Sequence, residues 1–206
     1  LLCSAIEQAL RGRRVLKGDG GWSKLALNEV IAADAISKRL NDLNDELGGE
    51  GRLLVRGIET LACGLEDAKA ERVLELESLL WPAKISGTNV ASFVVPIRPN
   101  WASDLFDGRL ATGRLWAAAT DLVLNPDSVY YRSSRPKVLC GAGRILWYVS
   151  SGTSHGSKML RACSQLTGVE TGSAKALFRK YRRFGVFDWK HVVETAKSAD
   201  GELMAL

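Results

Sequence analysis

The sequence contains few of the residues that bind metals or form disulfide frameworks. It has four cysteines and two histidines among 206 residues, and no two cysteines lie within three positions of each other. Structural zinc sites use closely spaced pairs of such ligands, so we expect no metal. P-loop and dinucleotide-binding fingerprints are also missing, and we expect no cofactor. Isolated cysteines flanked by apolar residues are typical of reducing compartments, which predicts a cytoplasmic protein.

A long apolar run is missing as well. No segment approaches the about 18 consecutive apolar residues of a transmembrane helix, and we expect no membrane partner. The start, LLCSAIEQALRGRR, lacks the basic residues that precede the apolar part of a secretory signal. Since the sequence begins without Met and ends abruptly in GELMAL, we expect a fragment of a longer polypeptide.

Positive charge is distributed unevenly along the chain. Residues 1–80 carry 11 Lys and Arg against 14 Asp and Glu, whereas residues 81–206 carry 17 against 9. The formal net charge of +5 therefore combines a mildly acidic first part with a strongly basic second part. Such asymmetry indicates a polyanionic partner for the second part.

Residues 1–80 have the periodicity of helices. Apolar side chains recur every three to five positions in residues 22–47, which predicts one amphipathic helix that stops at Gly48 and Gly49. Residues 52–80 repeat the pattern, and residues 2–10 predict a shorter third helix. We expect a region of two to three helices whose apolar faces pack in a core. Alternatively, they pair with a partner protein or with the remainder of a longer polypeptide.

From residue 81 the pattern changes to short strands separated by turns. Strands are predicted over residues 89–97, 128–132, 143–151, 158–169 and 202–206. Short helices are predicted after Pro99, over residues 174–184 and over residues 189–197. We therefore expect an α+β protein in which the helical region of residues 1–80 precedes a small mixed β-barrel with flanking short helices over residues 81–206.

The segment ALFRKYRRFGVFDWK, residues 176–190, combines five basic with five aromatic residues. On a helical wheel of residues 174–184 the aromatic side chains and the cations fall on opposite sides. We therefore expect these aromatics in the core and not as platforms for base stacking. No acidic residue occurs between positions 175 and 187. The cations either form a solvated face or contact a polyanion, and we expect contact through Lys175, Arg179, Arg182 and Arg183.

Two further loops combine cations with aromatic and small polar residues. Each loop follows a strand that contains two adjacent aromatic residues. Neighbouring side chains on a strand point to opposite faces, so we expect one aromatic of each pair in the core and one exposed. Exposed aromatics beside Ser-rich loops stack unpaired bases, although ordinary sheet packing explains the same pattern. The residues expected to contact nucleic acid in these loops are Tyr130, Tyr131, Arg132, Arg135, Lys137, Trp147, Tyr148, Ser150, Ser151 and Lys158.

Six segments follow one another in residues 81–206: WPAKI, FVVPIRPNWASDLF, VYYRS, GRILWYVSS, RACSQLTGVETGSAKALF and GVFDWKHV. Their order resembles a PUA-like superfamily domain of the ASCH or EVE type. The resemblance implies a small β-barrel that binds RNA, or DNA with modified bases, in a cleft lined by aromatic and small polar residues. It also implies a C-terminal region of a larger bacterial protein. It carries over no catalytic residue.

Two enzymatic alternatives remain open at this point. The run from SHGSKMLRACSQL to the basic segment is similar to the pyrophosphate loop and helix of acyl-CoA-dependent N-acetyltransferases (GNAT-like), although it offers one glycine, Gly156, where such loops use more. A nuclease of a toxin-type system needs clustered carboxylates, and the nine in residues 81–206 are dispersed. The sequence thus predicts a nucleic-acid-binding module and leaves catalysis undecided.

Overall fold

The computed structural model describes residues 16–18, 21–23, 25–47, 49–106, 127–139, 141–150 and 158–206. These residues form a mixed α+β structure, which confirms the expected fold class. They divide into two compact units, with the boundary between Ala91 and Ser92. None of the helices within the described ranges is long and apolar enough to cross a lipid bilayer.

The helices of the described residues are α1 (Ile36–Glu46), α2 (Gly49–Ala62), α3 (Ala70–Leu79), α4 (Pro99–Leu105), α5 (Ala174–Tyr181) and α6 (Trp189–Ala196). The strands are β1 (Leu16–Gly18), β2 (Gly21–Ser23), β3 (Val30–Ala32), β4 (Lys84–Ser86), β5 (Ala91–Ile97), β6 (Tyr131–Ser133), β7 (Gly143–Val149), β8 (Met159–Leu166), β9 (Glu170–Ser173) and β10 (Glu202–Ala205).

The described part of the N-terminal unit contains two pairs of strands, which the sequence periodicity did not predict. β1 pairs antiparallel with β2, and β3 pairs in parallel with β4, with Ile31 opposite Ile85. The prediction of one helix over residues 22–47 is therefore wrong in its first half, since α1 begins only at Ile36. Val30 and Ile31 are β-branched and suit a strand, and the backbone hydrogen bonds of β3 go to β4.

The second apolar run, residues 52–80, divides into two helices. α2 ends at Ala62, and Gly64 then adopts a left-handed φ of 61° that is accessible to glycine without steric cost. α3 buries Val73 and Leu76, and it also buries the Glu77 side chain completely. The Glu77 carboxylate accepts a hydrogen bond from the backbone N–H of Ile85 at 2.8 Å, which fixes β4 to α3.

The C-terminal unit contains two three-stranded sheets. Their strand orders are β5-β7-β8 and β6-β10-β9. Along β7 the side chains alternate, so that Ile145 and Trp147 are buried and Tyr148 is half-buried. Along β10 they alternate between two cores. Met204 belongs to the core of the first sheet, while Leu203 and Ala205 belong to the core beneath α5 and α6.

Neither sheet closes into a barrel within the described residues. β5 and β8 are the edges of one sheet, and β6 and β9 are the edges of the other. Both sheets carry strands close to the predicted positions, and α4 begins at Pro99 as predicted. The α+β class is thus shown, whereas the expected PUA-like barrel is not shown by the part of the chain that the structure describes.

Candidate nucleic-acid interface

The helix α5 carries the first group of predicted contact residues. Ser173 caps it, since its Oγ accepts a hydrogen bond from the backbone N–H of Ala176 at 3.3 Å. Leu177 is buried, and Phe178, Tyr181 and Phe184 pack against the same core. The aromatic side chains therefore contribute to the core, as the helical wheel predicts. The helix ends at Tyr181, three residues before the predicted end, and Arg182 is its C-cap residue.

Four cations of this helix and its C-terminal turn form a surface that we call the basic face. It consists of Lys175, Arg179, Arg182 and Arg183, and all four are exposed. None of them forms an ion pair with any residue that the structure describes. α5 is capped at its N-terminus, and the side opposite the basic face packs against the core. The core therefore fixes the backbone positions of Lys175 and Arg179.

Lys180 differs from the basic face because it has an acidic partner. Its ammonium forms an ion pair with the carboxylate of Glu170 in β9, and the hydroxyl of Tyr181 donates a hydrogen bond to the same carboxylate oxygen. The hydrogen bonds from Lys180 and then Tyr181 lower the pKa of Glu170 below its ordinary value. The pKa of Lys180 is raised, chiefly by the hydrogen bond to Glu170.

The second group of predicted residues meets around Tyr130. The Tyr130 hydroxyl lies 3.5 Å from the carbonyl oxygen of Pro96, near the end of β5. The backbone N–H of Ser150 donates to the carbonyl of Ile97 at 3.1 Å. The two aromatic loops therefore converge at the end of β5, and the Tyr130 ring meets the Trp147 ring edge-on at 5.2 Å.

Two arginines lie near this phenol. Burial raises the pKa of Tyr130, while the positive charges of Arg132 and Arg98 act in the opposite direction. Arg98 is exposed and precedes Pro99 at the start of α4. Sequence reasoning missed Arg98, because no other cation lies near it in the sequence. We call Arg98, Tyr130, Arg132 and Ser150 the Tyr130 cluster.

Two of the predicted aromatic contacts are core residues. Tyr131 is 2% exposed and Trp147 is 5% exposed. The Trp147 indole N–H donates to the Ser164 hydroxyl at 2.8 Å, and burial raises the pKa of Tyr131 to about 12. Neither ring offers a face to a base. Trp147 instead packs against the half-buried Tyr130, and Tyr131 packs against Phe187.

The remaining predicted cations lie at loop positions. Arg135 and Lys137 are exposed, and the Lys137 ammonium lies 3.8 Å from the Glu202 carboxylate. Lys158 is exposed as well, with a left-handed φ of 59°, and its backbone N–H donates to the Val149 carbonyl. Ser151 lies outside the described residues.

A cavity of about 400 Å³ lies beside the Glu170–Lys180 pair. Its border includes Glu170, Tyr181, Phe184 and Thr167. Of the aromatic residues predicted for a binding cleft, Tyr130, Trp147 and Tyr148 do not border it. The predicted loops and this cavity are therefore separate features of the C-terminal unit.

The alternative enzymatic interpretations find no added support in this geometry. Residues 159–166, which would have to form a helix after a pyrophosphate loop, form the strand β8. Within the described residues, no group of three or more His, Cys, Asp or Glu side chains is placed to hold a metal ion. In comparisons with known proteins, no family model, no curated protein and no solved structure matches this chain.

Proposed function

We propose that the C-terminal unit is a nucleic-acid-binding module that contacts phosphates through the basic face of α5. The observation that carries this proposal is the presence of four exposed cations without an acidic partner among the described residues. Phosphate backbones attract such clusters, and the release of condensed counterions drives the binding. The excess of basic over acidic residues in residues 81–206 adds to this attraction.

The position of Lys175 on α5 is unfavourable for the isolated helix. Lys175 lies in the first turn, where the helix dipole disfavours positive charge. It is also four residues from Arg179, and like charges at that spacing repel by about 0.2–0.5 kcal/mol. A bound polyanion relieves both effects. Lys180 shows that a cation of this helix does form an ion pair where a carboxylate is within reach.

The Tyr130 cluster is the second contact region of this proposal. Two guanidinium groups beside a phenol and a hydroxyl suit phosphate and sugar oxygens, because guanidinium donors match their geometry. The cluster lies in the segments that resemble a PUA-like domain. The PUA-like barrel, the preference for RNA or modified DNA, and the place of the unit in a larger cytoplasmic bacterial protein remain parts of the proposal.

The proposal is tested by the salt dependence of oligonucleotide binding, measured by fluorescence anisotropy. Four phosphate contacts at the basic face contribute about −3 to −4 to the slope of log affinity against log salt concentration. Changing Lys175, Arg179 and Arg182 together to Gln should reduce the magnitude of that slope by about 2 to 3. The matched control changes Lys38, Arg56 and Lys69, three exposed cations of the N-terminal unit, to Gln.

The control variant should bind like the unchanged protein. If RNA and DNA oligonucleotides bind without dependence on salt, or if the two triple variants behave alike, the basic face does not bind phosphates and the proposal fails. A separate measurement addresses the acetyltransferase alternative. A rise in melting temperature with acetyl-CoA would support that alternative, because a ligand that binds only the folded state stabilises it.

A further inference from the structure

Trp189, the first residue of α6, is an exposed aromatic side chain that contacts α5. It keeps 38% of its surface exposed. Its ring contacts Phe178 of α5, with 5.4 Å between the ring centroids. Lys175 precedes Phe178 by three positions and Arg182 follows it by four, so both flank Phe178 on the surface of α5. The contact with Phe178 therefore places the Trp189 indole against the segment of α5 that carries these two cations.

The exposure of Trp189 is unusual among the tryptophans that the structure describes in this unit. Trp147 is buried, and Trp101 is half-buried against Phe187, with 4.4 Å between the ring centroids. An indole offers a large apolar surface that gains free energy when it is covered. No sequence signal marked Trp189 as exposed, because it lies three positions before the buried Val192 of α6.

A nucleobase is an occupant that fits both the ring and the surrounding charge. Every base has a π-face that stacks on an aromatic ring, and the phosphate linked to the base needs a cation nearby. Bases inside a duplex are already stacked on their neighbours. Only an unpaired base therefore has a free face that can stack on a protein side chain. An exposed ring that packs on a helix segment with solvent-exposed cations therefore suits a single strand.

We infer that the basic face is selective for single-stranded nucleic acid, with one unpaired base stacked on Trp189 and its flanking phosphates bound by Lys175 and Arg182. This inference rests on the proposed function and adds the substrate class to it. It also moves the site of base stacking from the two predicted loops to the junction of α5 and α6. The Phe178 ring supports the indole from the core side.

The test compares labelled oligomers of equal length and equal charge per strand. The probes are a single-stranded RNA, a single-stranded DNA, the corresponding duplex, and an abasic DNA strand that keeps the phosphates without bases. A length of about 12 nucleotides lies within the range of single-strand sites. The unchanged protein should bind the single-stranded RNA, the single-stranded DNA or both at least about fivefold more tightly than the abasic strand.

Two variants of Trp189 separate stacking from packing. Trp189→Leu keeps an apolar contact with Phe178 but removes the ring, and it should lower the affinity for single strands to that for the abasic strand. Trp189→Phe keeps a ring and should retain most of the preference. Both variants should keep the salt slope, because the cations are unchanged. The matched control is Trp81→Leu, which changes an exposed tryptophan of the N-terminal unit.

The outcomes distinguish this inference from the proposed function. Salt-dependent binding that is equal for based, abasic and duplex probes would overturn the stacking inference and leave phosphate binding intact. Absence of salt-dependent binding would overturn the proposed function itself. Tighter binding of a strand with bases than of the abasic strand supports the inference, and any difference between RNA and DNA then identifies the preferred sugar. If Trp189→Leu does not fold, the comparison of the abasic strand with strands that carry bases still decides whether the unchanged protein recognises bases, and equal affinities overturn the inference.

Discussion

Glu170 in β9 and Lys180 in α5 form an ion pair between a strand and the helix that follows it. The hydroxyl of Tyr181 donates to the same carboxylate. This pair neutralises one of the five cations of residues 175–183, and it ties the helix to the edge of the sheet. The other four cations are left to form the basic face.

The lowered pKa of Glu170 predicts a dependence of stability on pH. A carboxyl whose pKa is lower in the folded state stabilises the fold above its unfolded pKa, here about 4.5. That contribution is lost as the pH falls through the folded pKa. Glu170→Gln should therefore unfold at lower urea concentration than the unchanged protein at pH 7, and the difference should shrink at pH values below 4.5.

Glu194→Gln serves as the control for this measurement. Glu194 is exposed and has no cationic partner in the described part of the chain. Its substitution should produce no comparable pH-dependent difference. Equal urea midpoints for Glu170→Gln and the unchanged protein at both pH values would show that the ion pair does not stabilise the fold.

Lys175→Glu should change folding and binding in opposite directions. The substitution puts a negative charge in the first turn of α5 and opposite Arg179 four residues later, which stabilises the helix by about 0.5 kcal/mol. The same change removes a cation from the basic face and should weaken oligonucleotide binding. Thermal unfolding and anisotropy measure the two effects, and Lys175→Gln should be intermediate in both. A variant that loses stability together with affinity would contradict this account.

The buried carboxylate of Glu77 should contribute to the stability of the N-terminal unit. Glu77→Ala leaves the backbone N–H of Ile85 without its acceptor, and an unsatisfied buried donor costs about 1–3 kcal/mol. Glu77→Gln keeps an oxygen at the same place and should lose less stability. The free energies of unfolding in urea compare the two variants. Equal losses would mean that the side-chain volume, and not the hydrogen bond, stabilises this region.

Local patterns predicted some elements of the fold and missed others for physical reasons. Strand alternation correctly predicted that Trp147 and Tyr148 would differ in burial. The apolar spacing of residues 22–47 suits a helix, but β3 within it is stabilised by β4, more than 50 positions later. β9, with the sequence ETGS, has little strand propensity of its own. It forms because it pairs with β10.

In the candidate site too, features that depend on neighbouring residues were predicted, and features that depend on distant residues were missed. The helical wheel predicted which side of α5 is basic because that property depends only on neighbouring residues. The partner of Lys180 lies in another element, and so do the contacts that bury Trp147 and leave Trp189 exposed. These features depend on tertiary packing, and the periodicity of the sequence therefore does not predict them.

The position of β10 determines when the second sheet of the C-terminal unit can form during synthesis on the ribosome. β10 is the middle strand of its sheet, and it follows both of its neighbours in the chain. During synthesis β6, β9 and α5 emerge first, and the core that contains Leu177 is incomplete until Leu203 and Ala205 arrive. The nascent segment therefore displays its cations before its core is complete, and translation must pass residue 205 before the sheet can assemble.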